Sequence, residues 1–113
     1  MRITGRGPAP GTVSVSQVAI TGVHAKGNEY LTLKNRGPVS VKLKGWVLTT
    51  KGGHRVTLPT ATLAPGATLH VHSGKGKTRG QDLYLGKKAM FGDRHDVVTL
   101  TATGGFRAAR FTY

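Results

Sequence analysis

Residues 28–48, NEYLTLKNRGPVSVKLKGWVL, constrain the fold most, because they hold two runs of period-two alternation around one break. In the first run Leu31, Leu33 and Asn35 share one side, while Tyr30, Thr32, Lys34 and Arg36 share the other. This is the pattern of a strand with one face in a core. Arg36-Gly37-Pro38-Val39-Ser40 then interrupts the pattern, since proline fixes φ and has no N–H while glycine accepts positive φ. In the second run Val41 and Leu43 point inward and Lys42 and Lys44 outward. Trp46 and Leu48 fall out of phase by one, a shift that Gly45 accommodates as a bulge. The stretch reads as a hairpin with Lys34, Arg36, Lys42 and Lys44 on its outer face.

The same alternation recurs along the chain. Val13, Val15, Val18 and Ile20 predict a first strand with a bend near Ser16-Gln17. Val56 and Leu58 point inward between a turn at Thr50-Lys51-Gly52-Gly53 and Pro59, with Arg55 and Thr57 outward. Ala67, Leu69 and Val71 alternate with Thr68, His70 and His72. Val98 and Leu100 point inward ahead of a Gly104-Gly105 turn, and Ala109, Phe111 and Tyr113 close the chain with Arg110 outward. No window carries a helical period. The expectation is an all-β sandwich of about seven to nine short strands with little or no helix. The 17 glycines fit many tight turns between such strands. Length allows one core, placed over 13–113, and residues 1–12, rich in glycine and proline with Arg2 and Arg6, read as a flexible basic arm.

The chain has no cysteine, which excludes disulfides, thiolate metal sites and cysteine nucleophiles. No apolar run reaches the length of a membrane span, and the N-terminus lacks a signal peptide's apolar middle. As written the chain reads as soluble, and its compartment stays open between the cytoplasm and, with a leader, the cell surface.

Charge is the outlying quantity. Seventeen Lys and Arg against Glu29, Asp82, Asp93 and Asp96 give +13 with neutral histidines. The fold does not require this excess, and it attracts polyanions such as nucleic acid, anionic headgroups or acidic envelope polymers. One reservoir of charge is the outer face of residues 28–48. The other is the stretch 73–88, SGKGKTRGQDLYLGKK, where Lys75, Lys77, Arg79, Lys87 and Lys88 are spaced by glycine in a long loop.

Combinations that carry covalent chemistry are weak by comparison. Gly74-Lys75-Gly76-Lys77-Thr78 lacks the leading glycine of a nucleotide-binding P-loop, because position 71 is valine, and no helix follows. His70 and His72 share the outer face of one strand, but a third metal ligand has no recognisable spacing, and His54, Asp82 or His95 would have to arrive by folding. Asp93-Arg94-His95-Asp96 reads as a loop closing onto a strand. Ser73, His72 and Asp82 form a triad only on paper, since no nucleophile elbow surrounds the serine. Tyr30, beside Lys34 and Arg36, reads as a cross-strand packing residue before it reads as a base-stacking one. No catalytic centre, cofactor, metal or small-molecule substrate is expected.

The run Glu29-Tyr30-Leu31-Thr32-Leu33-Lys34-Asn35 with Gly37, followed by Leu43-Lys44-Gly45-Trp46-Val47-Leu48, resembles the lamin tail domain. So do Gly53-His54, Leu63-Ala64-Pro65-Gly66-Ala67, Val71-His72-Ser73-Gly74, Asp82-Leu83-Tyr84-Leu85-Gly86 and the closing Phe111-Thr112-Tyr113, in order. The similarity is to free-standing bacterial versions and covers nearly all of the chain. It implies an immunoglobulin-like β-sandwich and a non-catalytic module. It also implies that Thr32, Lys42 and Thr50-Lys51 are neutral or basic where the family commonly carries acids. Two functions follow as expectations. The first is sequence-nonspecific binding of DNA or another polyanion through Lys34, Arg36, Lys42, Lys44, Lys75, Lys77, Arg79, Lys87 and Lys88. The competing one is a protein-interaction or cell-surface targeting module with a protein or cell-envelope partner.

Overall fold

In the computed structural model, which describes residues 17–92 and 95–113, the alternating stretches become strands and no α-helix forms among the described residues. The arm read over 1–12, the valines at 13 and 15, and the Asp93-Arg94 pair lie outside those residues. The strands are β1 (Val18–His24), β2 (Tyr30–Asn35), β3 (Val41–Lys42), β4 (Val47–Thr50), β5 (Arg55–Thr57), β6 (Thr62–Leu63), β7 (Thr68–His72), β8 (Asp82–Tyr84), β9 (Val97–Thr101) and β10 (Arg107–Thr112). They build one four-stranded sheet in the order β1-β2-β7-β8, a second in the order β10-β9-β4-β5, and a short β3-β6 ladder. The count passes seven to nine because β3 and β6, two residues each, pair apart from both sheets.

The side chains read as inward are the ones that meet in the middle. Leu31, Leu33, Val41, Leu43, Trp46, Leu48, Val56, Leu58, Leu69, Val71, Val98 and Leu100 are all buried in one cluster, with Phe111 and Tyr113 packed against it. Each buried aliphatic or aromatic side chain contributes roughly 1.5–3 kcal/mol of transfer free energy, which makes this cluster the main source of stability.

The hairpin expected over residues 28–48 does not form. β2 pairs with β1 and β7, whereas β4 pairs with β5 and β9, so the two runs belong to opposite sheets. Alternation states which face a strand buries but not which strand lies beside it, and the turn at residues 36–40 carries the chain across the sandwich instead of back along it. Gly45 likewise supplies a turn rather than a bulge. Its φ is +85°, and around it the Trp46 N–H donates to Leu43 O at 2.9 Å, which passes the chain from β3 into β4. Within the described part of the first strand a register irregularity falls between Ile20 and Gly22, and the bend expected near Ser16-Gln17 involves residue 16, which lies outside the described residues.

Asn35 holds this crossing together. It is fully buried, and its Oδ1 accepts from Gln17 Nε2 at 3.0 Å and from the Gly37 N–H at 2.9 Å. Its Nδ2 donates to Val39 O at 2.8 Å and to Leu63 O at 2.9 Å. A buried amide is tolerated here because both of its ends are satisfied.

Candidate interaction surfaces

The nine cationic residues singled out in the sequence are all exposed. They do not lie on one hairpin face. Lys34 projects from β2 in the first sheet, Arg36 follows that strand, Lys42 lies on the β3-β6 ladder, and Lys44 occupies the turn into β4. Lys75, Lys77 and Arg79 belong to the β7–β8 connection, where Arg79 and Asp82 exchange backbone hydrogen bonds of 2.9 and 3.0 Å. Lys87 and Lys88 follow β8, and the Lys87 N–H donates to Ser73 O at 2.6 Å. Lys75 and Lys87 meet at a cleft of about 360 Å³ beside His72 and Tyr84. Lys87 and Lys88 meet at another of about 260 Å³ with His54 and Arg55.

The acids explain why these cations stand alone. Glu29 is buried and its Oε1 accepts the N–H groups of Met90 and, at 3.2 Å, of Phe91. Asp96 is buried and accepts from the backbone of Lys51 at 3.1 Å, Val97 at 2.7 Å and Gly92 at 3.0 Å, which closes the loop before β9. Asp82 faces histidines, with Oδ1 2.8 Å from His72 Nε2 and 3.5 Å from His70 Nδ1. Among the described residues no lysine or arginine forms an ion pair.

The outer face of the first sheet is a closed arrangement. Register places His24 beside Tyr30, Tyr30 beside His72, and His72 beside Tyr84, one ring from each of the four strands. His24 stacks on Tyr30 with centroids 5.1 Å apart, and His72 stacks on Tyr84 at 4.2 Å and 10°. Tyr30 bridges the two pairs, 5.3 Å from His72. The ring faces are thus turned to one another, which supports the cross-strand reading of Tyr30 over base stacking. Parallel pairing of β8 brings Asp82 beside His70, a juxtaposition of residues 12 apart in sequence that spacing did not reveal. The hydrogen bond from His72, followed by the charge of the two histidines, holds the Asp82 carboxyl below its ordinary value despite an opposing effect of burial. No group of three or more His, Asp or Glu able to hold a metal ion occurs among the described residues. Ser73 is buried on the opposite side from His72, so the paper triad does not assemble. Thr78 Oγ1 accepts the Tyr84 N–H at 2.9 Å, and no helix follows Gly74-Lys75-Gly76-Lys77-Thr78.

The second sheet is open by contrast. Arg110, Thr99, Thr49 and Arg55 stand in one register row across β10, β9, β4 and β5. At a strand spacing of about 4.8 Å the two arginines are separated by roughly 14 Å. Lys51 and Arg107 flank the row at a shallow cleft of about 400 Å³. Arg55 and Arg110 read individually as outward in the sequence, but only pairing puts them in line with the threonines, and neither was counted among the candidate cations.

Family comparison fits this architecture. The family model described as Lamin Tail Domain matches residues 7–113. The chain belongs to the lamin tail domain family. Among solved structures, this lamin tail domain resembles a chain of the archaellum periplasmic stator protein complex FlaF and FlaG from Sulfolobus acidocaldarius. The TM-score is 0.56 and the identity 10%, over 96% of this chain and 97% of that one. The likeness is one of fold, and the architecture is the immunoglobulin-like β-sandwich that the resemblance implied. No curated protein sequence matches the chain. No helix among the described residues is long and apolar enough to cross a membrane.

Proposed function

We propose that this lamin tail domain is a non-catalytic protein-interaction module whose cationic surface selects an acidic partner. The observation that carries the reading is the family match over residues 7–113, joined to a near full-length fold likeness to a chain whose structure is a complex of two proteins. Charge supplies the sign of the partner. The three described acids are engaged with backbone amides or histidines, which leaves the exposed lysines and arginines to attract negative charge from elsewhere.

Binding of DNA or another polyanion is the second reading, and its support is the +13 charge and the exposure of all nine predicted cations. The comparisons favour the protein partner. Their separation needs one titration, of labelled duplex DNA, single-stranded DNA and heparin at several salt concentrations. Neutralisation of about six phosphates would make DNA affinity fall on the order of a thousandfold between 50 and 200 mM salt. The protein-module reading expects negligible DNA binding at physiological salt, together with stoichiometric retention of a discrete protein by the nuclease-treated domain. Tight DNA binding that charge reversal at Lys75, Lys77, Lys87 and Lys88 abolishes, with no protein retained, would reverse the order of the two readings.

A further inference from the structure

Backbone hydrogen bonding at the β5 edge is incomplete, and among the described residues neither a second strand nor a covering loop is bonded along it. Residues 50 and 54 bond through Thr50 N–H to His54 O at 2.9 Å, and Leu58 N–H bonds to Trp46 O at 2.6 Å. Alternation in an antiparallel ladder then makes Val56 the residue that bonds to Leu48, so the N–H and C=O groups of Arg55 and Thr57 point away from β4. No hydrogen-bond partner occupies them among the described residues. The edge of β8 differs. Asp82 exchanges both of its backbone bonds with Arg79, and the Tyr84 N–H is taken by Thr78 Oγ1 at 2.9 Å. At the opposite side of the sandwich β1 and β10 lie against each other.

Beside that open edge runs a groove of about 440 Å³ between β5 and the segment after β8, lined by Val56, Pro59, Tyr84, Leu85, Arg55 and Lys87. Arg55 and Thr57 are exposed on the outer side of the strand, and Val56 turns to the core side. Lys87 and Lys88 meet Arg55 at the neighbouring cleft.

We propose that β5 accepts an added β-strand from an acidic segment of a partner protein, by β-augmentation at Arg55 and Thr57. The inference rests on the protein-module reading and names its site and its ligand class. Main-chain bonds from the edge would hold the incoming strand, and its alternate side chains would read the two faces. Residues on the outer side meet Arg55, so carboxylates fit there. The intervening residue turns toward Val56, Pro59 and Leu85, so an aliphatic side chain fits the groove. The recognised pattern is therefore acidic, apolar, acidic. A second copy of this chain does not supply it, because Glu29, Asp82, Asp93 and Asp96 are its only acids and no strand among the described residues carries two of them.

The test is an NMR titration of the 15N-labelled chain with a blocked synthetic peptide alternating glutamate and valine. The lysine–valine counterpart and a 12-base-pair DNA duplex serve as the other arms. The glutamate peptide is expected to shift the amides of Arg55, Thr57 and Lys87 and to protect the Arg55 and Thr57 N–H groups from exchange. Thr57→Pro removes an edge N–H that the native ladder does not use, so it should retain the fold and lower peptide affinity at least tenfold. Arg55→Glu should lower affinity for the glutamate peptide at least tenfold and raise it for the lysine peptide. The proposal is overturned if millimolar glutamate peptide leaves Arg55 and Thr57 unshifted, if both variants bind it like the parent, or if the duplex displaces it from these residues. Peptide binding at another surface would sink the β5 site and leave the protein-module reading standing. Binding of the duplex alone, at the 75–88 lysines, would sink both.

Discussion

Two rows of side chains, one on the outer face of each sheet, show how the same strand geometry can end in opposite chemical states. His24, Tyr30, His72 and Tyr84 cross the first sheet, the first and last pairs stacked and Tyr30 tilted against His72, with the neighbouring carboxylate of Asp82 held by the two histidines. Arg110, Thr99, Thr49 and Arg55 cross the second, with two cations and no acid. The first row meets its needs within the molecule. The second has two cations without an acid partner among the described residues. The difference teaches that surplus charge by itself does not locate function, because the register decides which polar groups have already found one another.

Breaking the closed row should have the largest effect. Tyr84→Ala removes a half-buried ring that stacks on His72, and a loss of about 2 kcal/mol is expected in urea unfolding. On the open face, Thr99→Val should change stability by no more than about 0.5 kcal/mol, since it deletes only a half-exposed hydroxyl. Equal losses from the two substitutions would erase the contrast between the rows.

Acid sharpens the comparison further. Asp82 has a carboxyl pKa lowered in the folded state, so its contribution to stability is complete above the unfolded carboxylate value of about 3.9 and is lost as pH falls through the lower folded value. Asp82→Asn should therefore flatten the decline of the thermal midpoint below about pH 4. An unchanged acid profile would mean that the histidine contacts carry no net stabilisation. The smallest effect concerns the loop that approaches the ring row. A Cβ at Gly76 would fall 2.4 Å from two carbons of the Tyr84 ring, so Gly76→Ala should displace the loop of Lys75 and Lys77 and shift Tyr84 resonances while leaving β5 amides in place.

Much of this was legible before any coordinates. Leu31, Leu33 and Asn35 on one side and Lys34 and Arg36 on the other are where alternation put them, as are Val56, Leu69, Val71, Val98 and Leu100, because burial of one strand face is a local property of sequence. Pairing is not local. Nothing in residues 28–48 states that β2 joins β7 while β4 joins β9, and so the expected four-residue basic face divides between different parts of the sandwich. The parallel approach of β8 to β7 was equally hidden, although it decides that Asp82 meets His70 and His72. Arg55 shows the same boundary from the other direction. Its outward direction was readable, but its place at an unpaired edge depends on which of two alternating hydrogen-bond sets faces β4.

Asn35 has a consequence for the order in which the sandwich assembles. Its side-chain partners lie 18, 2, 4 and 28 positions away, so its amide is fully satisfied only after several separate loops have closed. Premature burial of that amide would leave donors and acceptors stranded, at about 1–3 kcal/mol for each. Half-assembled forms are penalised accordingly, and folding becomes closer to all-or-none. Amide hydrogens around Asn35 should then exchange only through global opening, while the β5 edge exchanges freely. A strand arriving at that edge would meet a scaffold already committed to its final shape.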